Sequence, residues 1–447
     1  MRVSVELMAV WYASKNTSGW LSGSRFSIDA PCGTVMAGGL AGDSHGHWFL
    51  FRDADRQTDR QTDRQTDRQT MSKPAYRVPS MSEIAAIPWN GFNAISTFSG
   101  CGGSSLGYKM AGFKVLWASE FIPAAQATYR ANHRGTILDT RDIRRVKPSD
   151  ILSATGMGVG DIDLMDGSPP CASFSTAGKR EAGWGKVKKY SDTKQRTDDL
   201  FFEFTRLLTG VQPKVFVAEN VSGLVKGTAK GYFLEILAAL KSCGYRVKCQ
   251  VLDAQWLGVP QARQRTIFVG VRSDLSAEPV HPSPLPYRYT VRDALPWIVR
   301  AVQDPRGQFA VQEASDKPVF CIKAGSASHV YVEAESDITG YCTGMEWDKL
   351  KQGEQSERYF NLVKTHPDKP VPTICSSHGS RGIASVTHPT ERRKFAIAEL
   401  KRLCGFPDDF ILTGSYAQQW ERLGRAVPPV MMSHVAATIR DRILSVV

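Results

Sequence analysis

Apolar and polar positions along the chain fall into three regimes. Up to residue 54 neither a period of 2 nor one of 3.6 is sustained, and Gly, Ser and isolated aromatics dominate. From Asp55 to Thr70 the chain is four perfect copies of Asp-Arg-Gln-Thr. A period of four fits neither a helix face nor a strand face, so this segment is expected to remain a solvated, disordered linker. From about Gly91 short apolar runs alternate with helical patterns. Phe92 to Phe98 reads as a buried strand, Ser99 to Gly103 as a glycine loop, and Ser104 to Ala111 as the start of a helix. Phe113 to Ala118 reads as a second strand ending at Glu120. Ile162 to Met165 and Val215 to Ala218 read as further buried strands. The alternation runs to about Val271 and predicts a doubly wound parallel α/β sheet. Residues 273–385 break the rhythm with prolines, short strand-like runs and polar loops, which predicts a second, smaller domain. Helical patterning returns at Arg392 to Cys404 and at Met432 to Val447.

Charge sharpens this division. The net charge is +12 over 447 residues, yet residues 1–70 carry eight basic and eight acidic side chains. The whole excess therefore lies in residues 71–447, and a basic folded body suggests a polyanionic partner such as nucleic acid. Nine cysteines with no C-x-x-C pair argue for a reducing compartment and against a zinc site. No run approaches the roughly 20 apolar residues of a membrane helix. Glu6 interrupts the first apolar run, so no secretory signal is expected, and the expected location is the cytoplasm.

The repeat has a reading at the level of the gene. Asp-Arg-Gln-Thr can be encoded as GAC-AGA-CAG-ACA, a GACA tetranucleotide three times over. Loss or gain of one such unit shifts the frame. Met71 and Met81 lie just beyond and offer alternative starts.

The chemistry concentrates at strand ends. Asp166-Gly167-Ser168-Pro169-Pro170-Cys171 places a thiol behind two prolines, which restrict the backbone approach. Glu219-Asn220-Val221 follows an apolar strand, and Gln261-Ala262-Arg263-Gln264-Arg265 supplies paired arginines. A nucleophilic Cys, a strand-end carboxyl and two guanidinium groups form a coherent set for covalent catalysis. Each has a plainer reading, a buried thiol or a capping Glu among them, but the order of all three favours chemistry.

These blocks resemble those of the DNA (cytosine-5) methyltransferases over residues 91–447. Phe98-Ser99-Gly100-Cys101-Gly102-Gly103 looks like the family's cofactor loop, and Pro169-Pro170-Cys171 like its nucleophile block. Glu219-Asn220-Val221 and Gln261 to Arg265 look like its acid and Q-x-R-x-R blocks. Arg402 to Asp408 resembles the block that resumes its catalytic domain, and Gly424 to Pro429 its closing block. Two departures stand out: Arg425 where the family usually has Asn, and Ala172 where Gln is common.

The resemblance implies a doubly wound S-adenosylmethionine-dependent methyltransferase sheet with a smaller inserted target-recognition domain. Residues 1–80 lie outside the resemblance and, lacking a packing period, are expected to be a disordered extension, while the resemblance implies a catalytic domain over 91–272. A target-recognition domain over 273–385 and a return to the catalytic domain over 386–447 would follow. It implies Cys171, Glu219, Arg263 and Arg265 as catalytic residues. S-adenosylmethionine would be held by Phe98, Ser99, Gly100, Cys101, Gly102, Glu120, Phe121, Asp142, Ile143, Pro170 and Leu200, and no metal is expected. Glu120 would bind the ribose hydroxyls and Phe121 would stack on adenine. The substrate would be double-stranded DNA with the target cytosine flipped out. Gly178 to Arg196, rich in Lys and Arg, would be a mobile loop on the phosphates. The enzyme would act as a monomer at the nucleoid, with a cognate restriction endonuclease as a functional partner or as an orphan methylase. Two other readings remain at this stage, an RNA cytosine methyltransferase and a catalytically silent DNA-binding protein.

Overall fold

The computed structural model describes residues 73–170, 188–190, 193–195, 199–225, 230–298 and 332–447. Residues 1–72, with the repeat, and Cys171 with most of the expected mobile loop lie outside them. At the centre is a seven-stranded sheet. Its strands are β1 (Asn93–Thr97), β2 (Lys114–Ser119), β3 (Ile137–Asp139) and β4 (Leu164–Gly167). A separate antiparallel hairpin of β5 (Lys188–Tyr190) and β6 (Thr193–Gln195) falls within the Gly178–Arg196 segment. The sheet continues with β7 (Val215–Val221), β8 (Tyr245–Asp253) and β9 (Gln264–Arg272), in the spatial order β3-β2-β1-β4-β7-β9-β8.

The first five strands across this order are parallel, as the alternation of strand and helix predicts. The parallel expectation fails at β9, which runs antiparallel to both β7 and β8. The reason is the short connection. Between β8 and β9 lie only residues 254–263, too few for the crossover a parallel strand requires.

Both faces of the sheet are buried, and alternate residues serve opposite sides. Ala94, Leu164, Val215 and Val217 face one layer, where Met431, Met432, Val435 and Ile439 of helix Pro429–Arg442 pack. Ile95, Met165 and Phe216 face the other, against Phe204, Leu207 and Leu208 of helix Leu200–Val211 and Ile236 and Leu240 of helix Lys230–Ser242. The C-terminal helix approaches helix Gly103–Met110 so closely that a Cβ on Gly107 would lie 2.6 Å from Met432 Cβ. A third core joins Val291, Ala294 and Leu295 to Val371, Ile374, Phe395, Leu400 and Trp420. The described parts of 273–385 therefore share a core with the closing segment, and neither boundary of the expected smaller domain is a break in packing.

The N-terminal boundary expected at residue 80 is likewise displaced. Tyr76 donates its hydroxyl to Arg402 O at 2.6 Å and meets Tyr289 edge-on at 4.9 Å. Lys73 pairs with Asp293 at 2.6 Å. Residues 73–80 are thus docked on the third core, where a lone tyrosine in a polar run gave no periodic signal. A chain starting at Met71 retains these contacts, whereas one starting at Met81 loses them. The Met81 form is expected to be about 2–4 kcal/mol less stable, the scale of one buried aromatic plus its hydrogen bond. Thermal melts of the two forms side by side check this, and equal midpoints would show that the docked segment contributes nothing.

Candidate active site

The topology brings one end of each of the seven strands to one edge. Parallel strands place their C-terminal ends together, and antiparallel β9 places its beginning there. A cleft of about 880 Å³ opens at this edge. It is lined by the loop after β1, by Glu120 to Ile122 after β2 and by Asp142 and Ile143 beyond β3. Ser168 to Pro170 after β4, Glu219 at the end of β7 and Arg265 at the start of β9 complete this part of the wall. Cys171, the next residue after Pro170, lies outside the described residues.

Glu219 and Arg265 are 46 positions apart in sequence and meet through strand register. Glu219 pairs with Ile267 and Val221 with Arg265. The two side chains are diagonal neighbours on one face, and Arg265 Nε lies 2.7 Å from Glu219 Oε1. Both side chains are nearly buried, so the pair forms a fixed acid beside a guanidinium facing the cleft.

Arg263 behaves differently. Its guanidinium is 1% exposed and donates to Ile374 O at 3.2 Å, Gly424 O at 2.8 Å and Ala426 O at 3.1 Å. Burial, reinforced by repulsion from Arg265, pushes it down to about 9. Arg263, expected among the catalytic residues, lines the cleft and also serves as a brace. It ties the 374 segment to the 424–426 segment, which together form the facing wall.

The loop after β1 is strained and tethered. Phe98 adopts φ +53°, uncommon for a bulky residue, and Ser99 N donates to Ser119 O at 2.9 Å. Gly100, at φ +56°, has nothing within 4 Å of where a Cβ would stand, so any side chain there would project into the open cleft. Cys101 is buried, with its thiol pushed up to about 12 by desolvation. Gly102, expected in the cofactor site, does not line the cleft. It packs against His133, whose Nε2 would lie 2.1 Å from a Cβ at that position.

Glu120 does structural work at the same place. Its carboxylate accepts from Gly100 N and from Ile122 N, both at 2.7 Å. Burial raises its pKa and the backbone hydrogen bonds oppose that rise. Beside it Phe121 is 39% exposed on the rim. Ile143 and Leu200 supply buried apolar wall. The Asp142 carboxylate caps Arg144 N at 3.0 Å and pairs with the Arg144 side chain.

Other residues of the site carried weaker sequence signals. Asn220 donates to Pro169 O at 3.3 Å and so holds the turn that leads to Cys171. Its place in the Glu-Asn-Val block was the available hint. Lys394 reads in sequence as one more surface cation in Arg-Arg-Lys, but it is fully buried. Its ammonium donates to His378 O at 2.7 Å and Ser380 O at 2.6 Å, while Trp420 Nε1 donates to Cys375 O at 2.9 Å. These bonds fix the 375–380 loop, whose Cys375, Ser376 and Ser377 line the cleft. Arg425, the departure noted above, folds back on Glu421 at 2.8 Å. Among the described residues no cluster of metal-ligating side chains occurs, and no helix is long and apolar enough to cross a membrane.

Comparison with known proteins agrees with this geometry. The family model for C-5 cytosine-specific DNA methylase matches residues 92–441. The type II methyltransferase M.DdeI of Desulfomicrobium norvegicum is 31% identical over 390 residues, covering 78% of this chain and 88% of the relative. M.NgoPII of Neisseria gonorrhoeae, also a type II methyltransferase, is 28% identical over 368 residues, covering 80% and 98%. A solved structure described as a DNA modification methyltransferase encoded within an Escherichia coli prophage shares the fold with a TM-score of 0.58 at 21% identity. That likeness covers 79% of this chain and 100% of that one.

Proposed function

The chain belongs to the C-5 cytosine-specific DNA methylase family, and we propose that it transfers a methyl group from S-adenosylmethionine to C5 of a flipped-out cytosine in a specific double-stranded DNA sequence. The observation that carries this reading is the Glu219–Arg265 pair at 2.7 Å, in one cleft with the glycine loop and with the turn leading to Cys171.

The cleft residues fit the cofactor. The open space at Gly100 leaves room for the methionine part, the buried Glu120 carboxylate suits ribose hydroxyls, and Phe121 on the rim offers a face to adenine. Pro170, Ile143 and Leu200 would close the pocket. When bound, the cofactor supplies an electrophilic methyl group on a sulfonium. Glu120→Ala is expected to weaken its binding by about 1–3 kcal/mol, roughly 5- to 150-fold. Calorimetry checks this, and unchanged affinity would leave Glu120 as a loop tether only.

In this reading the Cys171 thiolate adds to C6 and makes C5 nucleophilic. Glu219 holds N3 and the exocyclic amine. Arg265 fixes Glu219 and stabilises negative charge developing at O2. Loss of the C5 proton and then of the thiolate restores aromaticity. Residues 273–385 carry sequence recognition through base edges in the major groove. Incubating the full chain with DNA and S-adenosylmethionine and mapping 5-methylcytosine tests the reading. Methyl groups recovered only in RNA, or none at all, would overturn it.

The protein acts as a monomer in the cytoplasm at the nucleoid, within a restriction-modification system or as an orphan methylase. If the Asp-Arg-Gln-Thr tract is GACA-encoded, copy-number changes switch the reading frame and hence methylation. Sequencing the tract in many single colonies decides this, and an invariant copy number would remove the switch.

A further inference from the structure

Asp166 is a buried carboxyl that the catalytic scheme does not use. It ends in β4, five residues before Cys171, and is 1% exposed. One carboxyl oxygen accepts from Tyr108 OH at 3.0 Å and the other from Ser96 Oγ at 3.0 Å. Ser96 Oγ lies 3.1 Å from Ser99 Oγ, and Ser99 lines the cleft. A chain of two hydrogen bonds therefore runs from the buried acid to the cofactor loop.

All of its side-chain donors are neutral hydroxyls, from Ser96 on β1 and from Tyr108 and Ser104 on the first helix after it. The ionisable neighbours are Tyr108 and Tyr129, whose phenols burial pushes up, and Glu219, whose negative charge opposes ionisation of Asp166. Among the described residues no Lys, Arg or His pairs with it. An acid removed from water without a counter-ion favours its neutral form. Burial holds this one up at about 7, near the point where a modest field decides its state.

Resting on the S-adenosylmethionine reading, we propose that Asp166 senses the charge of the cofactor. It is more fully protonated while the cleft is empty or holds a neutral thioether, and it gives up a larger share of that proton to solvent when a sulfonium cation occupies the cleft. A unit charge on the order of 10 Å away, in a medium of effective dielectric about 20, moves an acid by about one pH unit. By reciprocity the ionised carboxylate favours the cation, so the enzyme prefers the methyl donor over the demethylated product. Transfer of the methyl group removes the positive charge, Asp166 takes a proton back, and the product loses that preference. Asp166 is thus a positioning residue of electrostatic kind, and a purely structural role would not change proton counts.

The test uses the full chain at pH 7. Titrations with S-adenosylmethionine and with S-adenosylhomocysteine are run calorimetrically in two buffers of different ionisation heat, for wild type and Asp166→Asn. Wild type is expected to release up to about half a proton more with the sulfonium than with the thioether, because the acid starts about half protonated. Asp166→Asn is expected to abolish that excess. Titration of the ligands' own amino groups is common to both proteins and cancels between them. If the variant does not fold, infrared difference spectra of wild type serve instead. A protonated-carboxyl band should be lost on adding the sulfonium and kept on adding the thioether. Equal proton release in wild type, an excess that persists in Asp166→Asn, or an unchanged band overturns the Asp166 role while leaving cofactor binding intact. No binding heat for S-adenosylmethionine in any buffer overturns both readings.

Discussion

Cys171→Ser is expected to abolish methyl transfer while DNA binding survives. A hydroxyl is a far poorer nucleophile than a thiolate, and only the covalent step at C6 needs that nucleophile. The ordered turn at Ser168 to Pro170, held by Asn220, delivers the chain to this residue whatever its side chain, so folding should not change. DNA carrying 5-fluorocytosine at the target should trap wild type covalently, because fluorine at C5 blocks the final elimination. Peptide mapping should place the adduct on Cys171. Methylation by the variant within tenfold of wild type, or an adduct on Cys375 or another cleft cysteine, would end the assignment.

Glu219→Gln should lower kcat by roughly 10²–10⁴-fold, the usual scale for losing a positioned acid or base. The amide keeps the size of the carboxyl but removes the charge that pairs with Arg265 at 2.7 Å and with it the acid proposed to hold N3. The residues proposed to hold the cofactor, Gly100 and Glu120, belong to other strand ends of the cleft, so S-adenosylmethionine affinity should be unchanged. Single-turnover methylation at saturating DNA, with calorimetry on the cofactor, separates the two effects. A kcat within tenfold of wild type would mean that the Glu219–Arg265 pair is a strut. A parallel loss of cofactor affinity would mean that the variant has disturbed the whole sheet edge. Arg265→Leu makes a useful companion, because it leaves the same carboxylate nearly buried without its partner.

Much of the sheet was legible in the chain because its strands are buried on both faces. Ala94-Ile95, Leu164-Met165 and Val215-Phe216-Val217 are continuous apolar runs for that reason, each neighbour serving the opposite layer. The cleft loop was legible because Gly100 and the double proline impose backbone geometry locally. The blocks that carry the family likeness could be recognised for the same reason, since each is a short segment whose pattern survives without its neighbours in space.

What the tertiary structure alone decided are the relations between distant segments. The register of β7 on antiparallel β9 sets Glu219 against Arg265, while packing of the 374 and 424–426 segments engages the other arginine of the same motif, Arg263, through their carbonyls. The two arginines lie two positions apart and look alike in sequence, but Arg263 precedes the start of β9 at Gln264, and the segments packed around it, not strand alternation, set its surroundings. Tyr76 and Lys394 show the same limit. Each is a single side chain in a polar run, and its partners lie far off in sequence: Tyr289 and Arg402 for the one, Trp420 and, across a turn, the 378–380 carbonyls for the other. Asp166 reads as part of a nucleophile block, and only the burial of its carboxyl among hydroxyls without a cation makes it an acid poised near neutrality. Periodicity reports which face of an element is apolar. Which charges meet, and in how dry a place, is fixed by packing between elements, and local sequence does not encode that.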